Sequence, residues 1–235
     1  MKSFYMPDNK SSLQLGRVSE NVPLCELPNK KGAFYYFKLN DYPHLIAEGA
    51  RLIAERIQSS GMSNPYFVTA EASTLALAHV LRDQYGIDGL TLYKTKQIND
   101  VDPLSIEYDT ITAKESKQLF LGKNKCSLLQ NKNIFILDSV CTTGGTLSAI
   151  ANLLLKAGIE NKNIVAAIVL FTEGVERNSI NINASAQLPL HHFSHLPIEE
   201  KIITPYHFFK AQVEPSIVLT SESEIEIRAL PSVAK

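Results

Sequence analysis

Apolar residues along this chain alternate between short continuous runs and longer segments in which they recur every three or four positions. The short runs predict strands, at residues 66–69, 90–95, 133–137 and 164–171. The longer segments predict amphipathic helices, at residues 43–60, 71–85 and 146–157. The repeated strand–helix–strand order is typical of an α/β protein with a doubly wound, mainly parallel sheet.

The remaining segments are less regular. An aromatic strand is predicted at residues 33–39, and two strands of a β-ribbon are predicted at residues 105–112 and 117–121. Residues 1–20 are polar and rich in turn formers, so we expect an irregular lead-in there. The tail after Gly174 has weak strand signals, at residues 216–220 and 222–228.

Composition narrows the class of protein. The chain has 235 residues, of which 45% are hydrophobic, and this suits one α/β domain with a small attached lobe. A net charge of −1 gives no indication of nucleic-acid binding, and no apolar run reaches the length of a membrane span. The three widely spaced cysteines indicate neither a disulfide framework nor a zinc site. With no secretory signal visible at residues 1–16, we expect a cytoplasmic protein.

The segment at residues 134–147 carries the clearest chemistry. A buried strand ends at Asp138, a short Thr/Gly loop follows, and the loop leads into a helix. Ligands of open α/β sheets bind outside the carboxyl ends of the strands, which is where this loop lies. Its glycines allow close backbone approach, and the N–H groups of the following helix favour a phosphate. The hydroxyls available to such an anion belong to Thr142, Thr143 and Thr146.

The residues from Ile134 to Thr146, read as Ile-Phe-Ile-Leu-Asp-Ser-Val-Cys-Thr-Thr-Gly-Gly-Thr, resemble the signature of the type I phosphoribosyltransferases. These enzymes bind 5-phosphoribosyl 1-diphosphate. The resemblance spans about residues 22–197 and implies a single domain over residues 1–235. It further implies a core at about 43–175, a small hood lobe at about 20–40 with C-terminal segments, and a β-ribbon lid. Residues 198–235 are an unmatched extension.

The resemblance also implies roles for individual residues. The 5-phosphate would be bound by Cys141, Thr142, Thr143, Gly144, Gly145 and Thr146, and the ribose by Asp138 and Ser139. The diphosphate would be bound by Ala70, Glu71, Ala72, Ser73, Lys94 and Lys96. The base would contact Phe34 and Phe171, and the catalytic residues would be Glu107 and Asp138. Residues 195–197 resemble a His-Leu-Pro segment of some relatives, and we interpret them as structural.

Two residues depart from the family pattern. The family usually has a second acid where this chain has Ser139, and an arginine where it has Tyr93. Lys96 is a candidate replacement for the arginine, although a lysine lacks the guanidinium fork. These departures leave open a binding or regulatory protein that retains the sugar-phosphate site without turnover.

The function implied by the resemblance is that of a glycosyltransferase that uses 5-phosphoribosyl 1-diphosphate and a purine base to form a nucleoside monophosphate and diphosphate. Relatives that use 6-oxopurines tend to have a lysine after the strand at residues 164–171, and this chain has none there, which favours adenine. Transfer to a different acceptor is the third hypothesis. The resemblance implies Mg²⁺ without direct protein ligands, and a homodimer, with neither nucleic acid nor membrane as partner.

Overall fold

The computed structural model describes residues 5–26, 33–35, 37–109, 116–183 and 186–198. Its strands are β1 (Tyr5–Leu15), β2 (Val18–Glu26), β3 (Ala33–Tyr35), β4 (Pro65–Ala70), β5 (Gly89–Leu92), β6 (Leu104–Tyr108), β7 (Lys117–Leu121), β8 (Asn133–Cys141), β9 (Ile164–Glu173), β10 (Ser179–Asn183) and β11 (Ala186–Leu196). Its helices are α1 (Pro43–Ser59), α2 (Leu75–Tyr85) and α3 (Gly145–Lys156). The chain divides into two compact units, and the described residues all lie in the first, Met1–Ile202. The strands predicted at 216–220 and 222–228 therefore lie outside the described residues.

The central sheet has six strands in the order β10-β11-β9-β8-β4-β5. All neighbouring pairs are parallel except β10 with β11, which is antiparallel at one edge. Helices α1 and α2 cover one face of the sheet and share one buried apolar cluster. Helix α3 covers the other face over a second cluster. The mainly parallel, doubly wound α/β fold is confirmed. Among the described residues, no helix combines the length and apolar character needed to cross a membrane.

The parallel order brings the carboxyl ends of β4, β8 and β9 to one edge of the sheet. Strands β8 and β9 are buried on both faces, as expected for continuous apolar runs between helices. The tail after Gly174 is more regular than expected, because β11 extends the sheet beside β9. Within this pair, Nδ1 of His195 lies 3.0 Å from the Thr172 hydroxyl, which agrees with a structural role for His195.

Over residues 5–20, the expectation of an irregular lead-in was wrong. Strands β1 and β2 form an antiparallel hairpin, and β3 pairs with β2 to complete a three-stranded hood sheet. The inward side chains of the hairpin are Leu13, Leu15, Val22 and Leu24, all essentially inaccessible to solvent. Polar residues alternate with them, and this alternation, typical of a strand with one solvated face, gave the segment its turn-like composition.

Glu48 of α1 connects the hood hairpin to the core through hydrogen bonds. Its carboxylate accepts hydrogen bonds from the Arg17 backbone N–H at 2.9 Å and from Nε and Nη2 of Arg51 at 2.9 and 2.7 Å. These bonds, chiefly the two from Arg51, lower the pKa of Glu48 to about 2, although burial opposes the shift. Only 8% of Glu48 is exposed, so this carboxylate is a fixed part of the hood attachment.

We expect Glu48→Gln to lower the free energy of unfolding by about 1–3 kcal/mol at pH 7, because charge-assisted bonds are lost. The folded pKa of Glu48 lies below its unfolded value, so the stabilisation is present above about pH 4.5 and is lost as the pH falls toward 2. Urea unfolding at several pH values measures this. Glu55→Gln is the control, since Glu55 also pairs with Arg51, at 2.6 Å, but its side chain is 58% exposed. Equal effects of the two variants would contradict the anchoring role.

Candidate functional site

The loop between β8 and α3 has the geometry of an anion site. Gly144 has a φ of +85°, a conformation that glycine adopts without strain, and α3 begins at the next residue. A Cβ on Gly145 would lie 2.7 Å from the carbonyl oxygen of Asp109, so only glycine lets the end of β6 lie this close. The first N–H groups of α3 point out of the helix toward a pocket between this loop and the ribbon.

The pocket contains most of the residues predicted to bind a phosphoribosyl group. Its walls include the whole predicted 5-phosphate set, namely Cys141, Thr142, Thr143, Gly144, Gly145 and Thr146. Asp138, Ala70, Glu71, Ser73 and Lys94 line it too. The predicted phosphate, ribose and diphosphate segments, separate in sequence, therefore meet in one cavity.

Thr142 has a second partner that the sequence did not indicate. Its hydroxyl donates to Oε2 of Glu173 at 3.1 Å, and Oε1 of Glu173 accepts the Tyr35 backbone N–H at 3.2 Å. Burial raises the pKa of Glu173, and these two bonds oppose the shift. Since its proton is directed to Glu173, the Thr142 hydroxyl does not donate to an anion in this arrangement. The threonine hydroxyls of this loop that can donate to an anion are those of Thr143 and Thr146.

Cys141 is buried at the start of the loop. Burial raises the pKa of its thiol to about 11, so the thiol is neutral near pH 7. A neutral buried thiol is a poor nucleophile, and Cys141 contributes to the pocket wall rather than to covalent chemistry.

Asp138 lies in β8 and is partly buried; the strand was expected to end here but continues for three more residues, to Cys141. Burial raises its pKa to about 6, although the Ser139 N–H, which donates to Oδ1 at 2.7 Å, opposes the shift, as do Lys94 and Lys117. Ser139 itself is turned to a neighbouring loop, where its hydroxyl lies 3.2 Å from that of Ser73. Asp138 is thus a carboxylate poised to titrate near neutrality and to accept hydrogen bonds from a ligand.

We expect Asp138→Asn to stabilise the unliganded protein at pH 8 by about 1–3 kcal/mol, since it removes a partly buried charge. The folded pKa of Asp138 lies above its unfolded value. The destabilisation by the charge is therefore absent below about pH 3.8 and complete above about pH 6. Denaturant unfolding of both proteins at pH 4 and pH 8 measures the difference. A variant that is less stable than the wild type at pH 8 would show that the carboxylate is satisfied in the folded protein.

The loop after β4 is held between two strands. Helix α2 begins at Leu75, later than predicted, because residues 71–74 form turns. The Thr69 hydroxyl donates to the Leu137 carbonyl at 2.7 Å, and the Thr74 hydroxyl donates to the Ala70 carbonyl at 2.7 Å. Oε1 of Glu71 accepts the backbone N–H of Lys94 at 2.7 Å, which ties this loop to the segment after β5.

Six predicted residues lie away from the pocket walls, namely Ser139, Phe171 and four others. Ala72 is not among the lining residues, and Lys96 is exposed and interacts electrostatically with Asp102. Glu107 is exposed and accepts a hydrogen bond from Gln118 at 2.8 Å, on the side of the ribbon that faces away from the pocket. Phe34 is partly buried, in the hood.

Phe171 is completely buried. Its ring packs edge-to-face against Phe37 of the hood, with centroids 5.6 Å apart. Phe37 is partly exposed and Phe171 is not, so Phe37 is the ring of this pair that a ligand can reach in this arrangement.

Outside the segment at residues 134–147, sequence reasoning missed three of the lining residues: Tyr108, Asp109 and Lys117. They come from the ribbon, whose register places Tyr108 opposite Lys117. The segment around Glu107 did point to the ribbon, but not to which of its side chains face inward.

A helix N-terminus after a Thr/Gly loop, a carboxylate and two lysines line one pocket at the edge of a mainly parallel sheet, an arrangement suited to an anionic ligand. The chain belongs to the phosphoribosyl transferase domain family, whose model matches residues 36–188. No curated protein matches the chain significantly.

Several solved structures share the fold. The adenine phosphoribosyltransferase of Giardia lamblia, in complex with 9-deazaadenine, is 14% identical, with a TM-score of 0.57 over 79% of this chain and 93% of that one. The enzyme of Thermoanaerobacter pseudethanolicus is 16% identical, with a TM-score of 0.57 over 74% and 95% of the two chains. The enzyme of Trypanosoma brucei, with AMP, pyrophosphate and ribose-5-phosphate, is 13% identical, with a TM-score of 0.54 over 74% and 76%. At these identities the likeness establishes the type I phosphoribosyltransferase fold.

Proposed function

We propose that the protein transfers the phosphoribosyl group of 5-phosphoribosyl 1-diphosphate to a purine, adenine being the preferred base. The observation that carries this proposal is the meeting of the Thr/Gly loop, Asp138 and Lys94 in one pocket. Family membership and the shared fold of adenine phosphoribosyltransferases support it.

Each part of the pocket suits one part of the substrate. The N-terminus of α3, with Thr143 and Thr146, binds the 5-phosphate through N–H groups and hydroxyls. Asp138 accepts hydrogen bonds from the ribose hydroxyls. Lys94 and the loop at residues 70–73 receive the diphosphate. In the reaction the bond from ribose C1 to the diphosphate oxygen breaks and a base nitrogen forms the new bond to C1. The proton of that nitrogen passes to the released diphosphate.

Magnesium is compatible with this pocket. Within the described residues, no three His, Cys, Asp or Glu side chains come together as a metal site. Mg²⁺ commonly retains waters and takes one or two carboxylates with substrate phosphates, and Asp138 and Glu71 are carboxylates of the pocket wall. Such an ion would supply positive charge next to the leaving diphosphate. The protein's own residues then position the ribose and exclude water.

The base preference rests on the groups at the end of β9. The strand ends with Thr172 and Glu173, and neither can donate from a cationic amine to a 6-oxo group. The buried Glu173 carboxylate lies between the hood and the phosphate loop and is an acceptor, which suits an amino group. Phe37, packed edge-to-face on Phe171, offers the aromatic surface of the hood.

A protein that binds the sugar phosphate without turnover is the second candidate. It is favoured by Ser139, whose hydroxyl is directed to Ser73 where a second acid would otherwise stand. Glu107 also faces away from the pocket in this arrangement, so its predicted catalytic role requires the ribbon to move. Transfer of the phosphoribosyl group to an acceptor other than a purine is the third candidate function.

Diphosphate release separates these candidates. The protein is incubated with 5-phosphoribosyl 1-diphosphate, Mg²⁺ and one base at a time, including adenine, hypoxanthine and guanine. We expect release with adenine at a rate well above that with the 6-oxopurines. Tight binding without release would favour the second candidate, and release only with a non-purine amine would favour the third. The homodimer and the cytoplasmic location stay predictions, of which gel filtration tests the first.

A further inference from the structure

The two faces of the ribbon formed by β6 and β7 have different chemistry. In an antiparallel pair, residues directly opposite each other share a face, and successive residues alternate between faces. Tyr108 pairs with Lys117, and both line the pocket. Glu107 pairs with Gln118 on the other face, where their side chains are hydrogen-bonded at 2.8 Å. The pairing register therefore directs Lys117 toward the ligand side.

Lys117 is one of two lysines in the pocket wall, with Lys94. Burial and the nearby charge of Lys94 lower the pKa of Lys117, and Asp138 raises it. Among the described residues, neither amine has a carboxylate within 4.0 Å, whereas Lys123, Lys125 and Lys162 all do. Two like charges held together in a partly buried cavity are stabilised by an anion between them.

Tyr93 cannot supply positive charge at the position where relatives have an arginine. Its carbonyl accepts the Phe120 N–H of β7 at 2.9 Å, and its ring lies beneath Nζ of Lys125 at 5.7 Å. It is not among the pocket-lining residues. The same backbone bond fixes β7 beside the segment that carries Lys94, and β7 begins with Lys117.

We propose that Lys117 is the second diphosphate-binding cation of this site, acting with Lys94 in place of the missing arginine. This inference rests on the proposed function, because it assigns one of that substrate's two anionic groups. Lys117 shares the pocket wall with Lys94, and the charge of Lys94 acts on the Lys117 amine, so the two amines can share one anion. That anion is assigned as the diphosphate, because the 5-phosphate already has the α3 N-terminus.

Two ligands distinguish a diphosphate contact of Lys117 from a 5-phosphate contact. Magnesium diphosphate and ribose 5-phosphate are titrated separately into the wild type and Lys117→Gln by isothermal calorimetry. We expect the variant to bind diphosphate about 10- to 100-fold more weakly, the effect of one lost charge-assisted hydrogen bond. Its affinity for ribose 5-phosphate should change by about 3-fold or less, within the range of a distant charge. Lys117→Arg keeps the charge and should retain most of the diphosphate affinity.

Lys162→Gln is the matched control. Lys162 lies just before β9, at the opposite end of that strand from the pocket, and its side chain is 76% exposed, so its loss removes the same charge without a ligand contact. The inference is overturned if Lys117→Gln binds diphosphate as the wild type does, weakens diphosphate binding no more than Lys162→Gln, or loses ribose 5-phosphate binding instead. A wild type that binds neither probe would overturn the proposed function itself, a result distinct from these.

Discussion

Replacing both Thr143 and Thr146 by valine should weaken binding of ribose 5-phosphate by about 10²- to 10⁴-fold. Valine preserves the shape of threonine but removes two hydroxyl donors, each worth about 1.5–3 kcal/mol when the acceptor is charged. Both residues line the pocket at the start of α3. Calorimetry with ribose 5-phosphate measures the loss, and circular dichroism checks that the fold is retained.

Thr142→Val is the internal control for this double variant. The Thr142 hydroxyl donates to Glu173 at 3.1 Å, so its removal should change ribose 5-phosphate affinity by about 3-fold or less. If instead Thr142→Val were as damaging as the double variant, the hydroxyl would have to turn from Glu173 to the phosphate on binding. If the double variant bound normally, the loop would not be the phosphate site.

The second large effect concerns turnover. Asp138→Asn should lower kcat/KM by about 10²- to 10⁴-fold, the usual contribution of a positioned acid–base or charge-stabilising group. The pKa of Asp138 is raised to about 6, so wild-type kcat/KM should rise as the pH increases through 6 and then level off. The variant should lack the part of this rise that comes from Asp138.

The pH dependence due to Asp138 is obtained from the ratio of the wild-type and variant kcat/KM values, because the phosphates of the substrate also titrate near pH 6. Dividing the wild-type kcat/KM by that of Asp138→Asn at each pH removes the contribution of the substrate. A ratio that increases between pH 5 and pH 7 supports ionised Asp138 as the active form. A ratio independent of pH would mean that Asp138 does not titrate there. If the ratio increases with pH and Asp138→Asn is also more stable than the wild type, then the Asp138 carboxylate is a destabilising charge that the protein retains for its function.

The phosphate loop was predictable because its information is local. A strand, an aspartate, a Thr/Gly turn and a helix lie within residues 134–147, and both local periodicity and helix-terminus chemistry act over such distances. The central sheet was predictable for a related reason, since β8 and β9 are buried on both faces and are apolar almost throughout. The hood hairpin was missed because its solvated face is strongly polar.

The parts that could not be predicted depend on pairing between distant segments. Lys117 reaches the pocket only because the ribbon register sets it opposite Tyr108. A shift of one residue would have turned Glu107 inward instead. Glu173 meets Thr142 and the Tyr35 N–H because β9 ends between the hood and the phosphate loop. No pattern within any one of these segments specifies such contacts.

The central claim is that residues 141–146 and Asp138 hold a ribose 5-phosphate. A crystal structure of the protein with 5-phosphoribosyl 1-diphosphate and Mg²⁺ tests it most directly. The 5-phosphate should lie within hydrogen-bonding distance of the N–H groups at the start of α3 and of the Thr143 and Thr146 hydroxyls. The ribose hydroxyls should face Asp138. A ligand bound with its 5-phosphate elsewhere, or an empty pocket at saturating ligand, would contradict the claim.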